Sequence, residues 1–545
     1  VALLAAPAAL TLATARARAE VKPVPYFAAW ASSGIPLQPV PNATPAPPIT
    51  PTPAASPTQT PGVTATPAPA SSASPAVPSL TPGPLGSPPP LPAGVVPSDV
   101  TVELGGTVSP QFAAAKIEAA IAAGAQLRPG ARAVVRDVTP GDTLRPGETL
   151  EALGHVHLDG AGAFANVDGT TSVHLKVDSL ARLDPDLLFY SDDPERLEAD
   201  DDGVLFRGSL DPATPVRAYV YHVAGDAPHK LFLVFSATAG EAQVQILGAS
   251  AGPSNAFGYV GHLSTVNYLL VRGAQESSVV TVEADRPYVF PIARELQPGE
   301  LVAGIFDARV LSGGPVELAV VSTSGDADPA DEAADPELAG DGHGRRGEFD
   351  LTTLAPLALT YVAGAPDPEP FTVGTPTIPN VRPGGRPLGG DYGALRDVSL
   401  KVNNPGAVPA TVYFYESPAG GSATTTIWFT GDPRPTEIAC VIRPNRYTIK
   451  AIDLAPGEMR VVTGEYMTDG TSSFPLLFGL TSTPPSPPPG PYDADACNPR
   501  PAPSASSSAS PGPAATTAVP ATPTATPVPA AATATPVPLP TQSGS

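Results

Sequence analysis

Two cysteines in 545 residues leave room for one disulfide and exclude a disulfide-stapled scaffold or a cysteine-built metal cluster. Basic residues are also scarce. Lys and Arg number 30 against 52 Asp and Glu, for a net charge of −22, and no basic cluster marks a nucleic-acid footprint. No uninterrupted apolar stretch reaches the ~18 residues of a transmembrane helix, so no transmembrane span is expected. A G-x-S-x-G nucleophile elbow is missing as well: Gly252-Pro253-Ser254-Asn255 has the wrong continuation. These absences remove the commonest signatures of hydrolases, nucleic-acid binders and helical membrane proteins. The chain reads as non-enzymatic, with no required cofactor.

What the chain has in excess is proline. Of its 74 prolines, 21 fall within residues 36–98, mixed with Ala, Thr and Ser, and residues 484–545 repeat that composition. Such segments lack the apolar surface that offsets the entropy of ordering, so 20–98 and 484–545 read as disordered, Pro-rich spacers. At ~3.1 Å per residue the first tract reaches roughly 200 Å when extended. Residues 1–19 carry an apolar run ending in Ala17-Arg18-Ala19, the pattern of the back half of a secretory signal peptide cleaved near Glu20. A secreted or cell-surface protein is expected.

The folded part, about 99–483, contains an internal echo. Leu296-Gln297-Pro298-Gly299-Glu300 returns as Leu454-Ala455-Pro456-Gly457-Glu458, 158 positions later. Pro315 and Ser322-Thr323 return as Pro475 and Ser482-Thr483, offset by 160. One two-residue insertion reconciles the offsets, and the repeat predicts two tandem homologous antiparallel β-sandwich domains, 183–324 and 349–483. Each Pro-Gly-Glu predicts a type II turn, with Pro fixing φ at one corner and Gly accepting positive φ at the next. Short runs rich in β-branched and aromatic residues follow one another across both segments: 216–223, 230–235, 242–247, 278–283, 288–292, 301–306 and 316–321, then 398–402, 411–415, 424–429, 437–442, 447–452, 460–463 and 476–480. Helical crossovers are not evident, so an all-β class is expected.

Residues 325–348 read as an acidic, Gly-rich loop. Before the sandwiches, 99–182 reads as a small α+β or mostly β module. In it, Ser109-Pro110 and Gly124 bracket a helix over 111–123 with Ile117 and Ile121 on its buried face, followed by strands at 133–138, 151–158 and 172–177.

Three clusters have ligand chemistry. On a strand, His155, His157 and Asp159 share one face opposite Val156 and Leu158. With His174 from a neighbouring strand they form a set suited to copper or zinc, although the same alternation also describes an ordinary polar outer face. The acidic segments Glu198-Ala199-Asp200-Asp201-Asp202-Gly203 and Asp326, Asp328, Asp331, Glu332, Asp335 offer hard oxygens for calcium or form solvated loops. Tyr392, Trp428, Tyr466 and Phe474 are candidate sugar-stacking rings if exposed and core residues if not. Cys440 and Cys497 are the disulfide candidates.

Leu388-Gly389-Gly390-Asp391-Tyr392-Gly393, His343-Gly344-Arg345-Arg346-Gly347-Glu348-Phe349 and Gly464–Pro475 resemble landmarks of uncharacterised exported bacterial β-sandwich proteins. Some of those proteins carry a copper-amine-oxidase N-terminal-like stalk domain, which is not evident here. The resemblance spans about 184–483 and implies location and fold. Together these readings describe an exported, surface-associated structural or adhesive protein of the bacterial envelope. Its expected partners are an envelope polymer or other surface proteins. The alternatives are a polysaccharide-binding module and a metal-binding protein or metal-dependent enzyme using His155 and His157.

Overall fold

The structure, a computed structural model, describes residues 90–487 apart from 129, 326, 343 and 344. The expected signal peptide, most of both Pro-rich tracts and Cys497, hence the Cys440–Cys497 bridge, lie outside the described residues.

The chain begins with β1 (Asp99–Gly105), α1 (Pro110–Gly124), β2 (Arg132–Arg136), β3 (Thr149–Asp159) and β4 (Val167–Asp178). Helix α1 forms where its caps predict: the Ser109 hydroxyl accepts from the Phe112 N–H, Pro110 occupies the first turn, and Ile117 and Ile121 are fully buried. Residues just before β1, expected in the spacer, are part of this module: Ala93 is buried and donates its N–H to Ala165 O at 2.8 Å.

A first sandwich follows: β5 (Leu187–Ser191), β6 (Arg196–Leu197), β7 (Gly203–Leu210), β8 (Val216–Ala224), β9 (Lys230–Ala237), β10 (Glu241–Ser254), α2 (Phe257–Ala274), β11 (Ser277–Glu283), β12 (Tyr288–Pro291), β13 (Leu301–Ser312) and β14 (Val316–Thr323). One turn of helix, α3 (Pro329–Glu332), and β15 (Arg346–Asp350) complete it. The second sandwich comprises β16 (Leu357–Val362), β17 (Phe371–Val373), β18 (Leu395–Asn403), β19 (Ala410–Pro418), β20 (Ser422–Phe429), β21 (Thr436–Ile442), β22 (Tyr447–Leu454), β23 (Met459–Thr468) and β24 (Leu476–Thr481).

The protein is thus mostly β, as expected, with sandwiched, mainly antiparallel sheets. In the first sandwich a sheet containing β5-β8-β13-β10-β11 packs over β7-β14-β9-β12. In the second, β16-β18-β23-β20-β21 packs over β17-β24-β19-β22. Matched in chain order, these nine strands correspond one to one in position and in sense, including a single parallel pair, β5 with β8 and β16 with β18.

The Pro-Gly-Glu turns sit at matching places, between β12 and β13 and between β22 and β23. In each, the Glu N–H donates to the residue three before it, Glu300 to Gln297 O at 2.9 Å and Glu458 to Ala455 O at 3.1 Å. Gly299 and Gly457 take φ of 80° and 72°. Each Glu carboxylate then folds back to accept the N–H of residue 297 or 455, both at 2.8 Å. Arg145-Pro146-Gly147-Glu148 repeats this geometry, with Glu148 accepting the Arg145 N–H at 2.8 Å.

Three boundaries differ from expectation. The N-terminal module is continuous with the first sandwich, because β1 pairs with β11 on one side and β4 on the other, joining β4, β3 and β2 to the same sheet. The unpaired edge of β11 is thereby covered. The 325–348 segment is partly structure, since β15 pairs with β5 from Arg346 onward. Finally, an 18-residue helix, α2, was not expected between β10 and β11. Its Val, Thr, Tyr and Gly content reads as strand, yet the buried Val260, Ser264, Tyr268 and Val271 recur at three- and four-residue steps, the helical period.

Candidate ligand-binding site between the sandwiches

Helix α2 lies on the outer face of the first sandwich's larger sheet and joins the two sandwiches. Its His262 Nδ1 meets Asp469 Oδ2 at 2.5 Å, its Nε2 meets Glu437 Oε2 at 2.9 Å, and Arg272 contacts Glu465 at 3.4 Å. Burial works to lower the His262 pKa, but the Asp469 and Glu437 carboxylates outweigh it and lift it to about 9. Trp428 packs edge-on against the helix at Gly273 and donates its indole N–H to Asp432 O.

The helix covers β10 and β13 but leaves β5 and the start of β8 to loops from beyond the first sandwich. There the sheet and the loops line an open cavity of about 690 Å³. Its floor is Tyr190 on β5 and Tyr219 and Tyr221 on β8. These fall on one side of the sheet because 190 and 219 are register partners and 219 and 221 are two apart. The rings stand parallel, 4.8 Å apart at 16° and 6.5 Å apart at 6°. None of the three hydroxyls hydrogen-bonds to another described residue, and none is buried away from solvent, so they open onto the cavity. Burial raises the pKa of Tyr190 and Tyr219 well above the ordinary phenol range, so the hydroxyls stay protonated.

The walls are loops. Tyr392 and Phe474 meet edge to face at 4.9 Å, and the Tyr392 hydroxyl donates to Ser472 O. Asp391 holds the 374 and 390 loops together, taking the Gly374 N–H at 3.2 Å and the Arg396 guanidinium at 2.5 Å. Gly393 has φ of 73°, and any Cβ there would strike the Tyr219 ring. Its carbonyl accepts from Arg217, a fully buried guanidinium paired with Asp307 at 2.8 Å. Thr471, also lining the cavity, has φ of 73°, a left-handed conformation that a β-branched side chain strongly disfavours.

The charged lining is Asp192, Glu195 and Arg345. Arg345 Nη1 lies 3.3 Å from Asp192 Oδ2 and 3.6 Å from Glu195 Oε2. Asp192 is only 2% exposed, and its Oδ1 has no hydrogen-bond partner among the described residues. Burial pushes its pKa well above the usual carboxylate range, against the pull of Arg345.

All three sequence landmarks converge here. Arg345 from the second, Gly389, Gly390 and Tyr392 from the first, and Thr471–Pro475 from the third all line this cavity. The four candidate sugar-stacking rings divide: Tyr392 and Phe474 are on its wall, Trp428 is against α2, and Tyr466 is fully buried in the second core. Sequence reading missed Tyr190, Asp192, Glu195, Tyr219 and Tyr221. The alternation Tyr219-Val220-Tyr221 was visible, but nothing in it says that this face meets another domain.

The candidate copper or zinc set does not assemble. His155, His157 and Asp159 do share one face of β3, with Val156 and Leu158 buried behind, but each has its own partner. His155 meets Asp137 at 3.1 Å, His157 meets Asp168 at 2.7 Å, and Asp159 meets Arg132 at 3.3 Å. His174 stands opposite Glu151, 2.5 Å from its carboxylate and four residues along the strand from His155, roughly 13 Å away. Among the described residues, no group of three or more His, Cys, Asp or Glu side chains is placed to hold a metal.

The acidic segments are used locally. Asp201 accepts the Glu198 N–H, Asp328 caps α3, and Asp202 takes the Ser324 hydroxyl. Asp326 lies outside the described residues. Among the described residues, Ser191 meets His222 at 2.9 Å and Ser322 meets His229 at 3.0 Å, all four buried. Burial lowers the His222 pKa to about 4, so this imidazole is neutral.

No protein-family model matches the chain, and no curated protein matches it in sequence. Among solved structures, tripeptidyl peptidase 2 aligns at 12% identity and a TM-score of 0.14, over 65% of this chain and 29% of that one. Lac15 from a marine microbial metagenome aligns at 11% and 0.10, over 62% and 77%. The CBM22-1–CBM22-2 tandem domain of Paenibacillus barcinonensis Xyn10C aligns at 9% and 0.12, over 65% and 92%. This chain therefore spans less than a third of tripeptidyl peptidase 2. Superpositions this weak carry no argument about ligand or activity. What stands is an all-β sandwich protein with a polar-aromatic cavity at the junction of its sandwiches.

Proposed function

We propose that this is an exported, surface-associated, non-enzymatic protein of the bacterial envelope that holds a saccharide chain in the cavity between its sandwiches. The observation carrying this reading is the row of three phenol hydroxyls, none bonded to another described residue, on the floor of a cavity walled by Tyr392 and Phe474. These hydroxyls open onto the cavity and are not buried orphans, and a polyhydroxylated ligand offers donors and acceptors at matching density. Aromatic walls add apolar contact with sugar C–H faces. The acidic net charge keeps the protein off anionic surfaces. The matching strand orders support reading the two sandwiches as tandem copies that diverged, the first gaining α2 and the second the loops that close the site.

The test is retention of the full chain on insoluble envelope polysaccharides, beside a Tyr190→Phe/Tyr219→Phe variant. Wild-type retention that the double variant loses supports the proposal. Equal retention of both, or no retention on any polymer, overturns it.

A further inference from the structure

We infer that the cavity selects a saccharide bearing a free, protonated amine, that is, an amino-sugar chain lacking N-acetyl groups, with Asp192 as the ammonium's counter-ion. This rests on the saccharide reading above and narrows it.

The acidic groups that line the cavity outnumber the basic ones. One guanidinium, Arg345, faces two carboxylates, Asp192 and Glu195, at 3.3 and 3.6 Å. Arg345 is thus already engaged by both acids, which disfavours a ligand carboxylate there. Asp192 remains with one oxygen paired and the other, Oδ1, buried with no partner among the described residues. A carboxylate so placed is costly until a donor reaches it. Without a ligand, burial favours a proton on Asp192. A ligand hydroxyl would leave it there, whereas an ammonium supplies both a donor and the positive charge that lets the carboxylate ionise and release that proton to solvent.

The aromatic wall points the same way. Tyr392 and Phe474 bound the same space, and ring faces attract cations more strongly than they attract neutral polar groups. An N-acetyl group would remove that charge.

The experiment is calorimetric titration of the full chain with a glucosamine hexamer and an N-acetylglucosamine hexamer, at a pH that keeps the amines protonated. Wild type, Asp192→Asn and Glu195→Gln are compared, with near-UV circular dichroism checking the fold. The amine hexamer is expected to bind wild type at least about tenfold more tightly, a difference of about 1.4 kcal/mol. Asp192→Asn is expected to abolish that preference while holding the N-acetylated hexamer as before. Equal wild-type affinities, or a preference that survives in Asp192→Asn, would overturn this inference and leave the saccharide reading in place. If neither hexamer binds and no polymer retains the chain, both fall. Should Asp192→Asn fail to fold, Glu195→Gln is decisive: a preference cut at least threefold supports the inference, and an unchanged one refutes it.

Discussion

Glu416 on β19 is buried in the second sandwich, and neither carboxylate oxygen is hydrogen-bonded in good geometry to a described residue. Burial, opposed by the neighbouring Thr425 hydroxyl and aided by the Asp469 charge, pushes its pKa from 4.5 to about 8. In the unfolded chain the same carboxyl ionises near its ordinary value. Between those two pH values the folded state therefore holds one more proton than the unfolded state, and stability falls as pH rises. The contribution is intact below about pH 4.5, declines through the window, and levels off above about 8. At about 1.36 kcal/mol per pH unit the full span is worth roughly 5 kcal/mol, and the interval from pH 5 to 7 close to 3 kcal/mol.

Glu416→Gln keeps the shape and polarity of the protonated acid but cannot ionise. Urea unfolding of both proteins at pH 5, 6, 7 and 8 isolates the effect, since the other titrating groups largely cancel in the difference. Wild type is expected to match the variant at pH 5 and to be less stable by about 3 kcal/mol at pH 7. Parallel stability profiles across that range would refute the argument.

Other outcomes follow from single features. Tyr190→Phe and Tyr219→Phe remove hydroxyls that bond to no described residue, so thermal melting is expected to stay within about 1 kcal/mol of wild type while polysaccharide retention drops. A larger loss of stability would mean the hydroxyls have a structural partner. Thr471→Gly relieves a left-handed β-branched residue at roughly 1–2 kcal/mol, less the glycine entropy cost, for a net gain near 1 kcal/mol and a melting temperature higher by about 2–4 °C. A lowered melting temperature would contradict this. His262 has a folded pKa of about 9 against 6.5 unfolded, so its contribution is fully present below pH 6.5 and lost as pH rises through 9. The stability gap between wild type and His262→Gln is expected to shrink by roughly 3 kcal/mol across that window. A pH-independent gap would show that the imidazole is not held as a cation between Asp469 and Glu437.

Much of the fold was legible because its signals are local. Alternation of β-branched and polar residues marks a strand wherever it packs, and all the strands expected in the two sandwich segments are present. Pro-Gly-Glu forms its turn with its own backbone and its own carboxylate, so it is readable from five residues. The cap of α1 is equally local, with Ser109, Pro110 and Gly124 bracketing it. Helix α2 was illegible because its composition favours strand, and burial on both sides, against the first sheet and the second sandwich, overrides that preference. The histidines of β3 illustrate the opposite failure. Their spacing was read correctly, but whether they converge depends on the register with β4, which sets His174 far along the strand.

The amino-acid sequence by itself determined the all-β class, the internal echo, the turns, and the three landmark segments, because each follows from propensity and periodicity over a few residues. It also contained Arg345, Tyr392 and Phe474, but as separate landmarks. Only the tertiary structure decided that they meet Tyr190, Asp192 and Tyr219 around one cavity. That meeting depends on α2 fastening the second sandwich through His262 and Arg272, and on Arg217 fastening Gly393. Contacts between residues some 50 to 200 positions apart belong to the packing of whole sheets, and no local pattern encodes them.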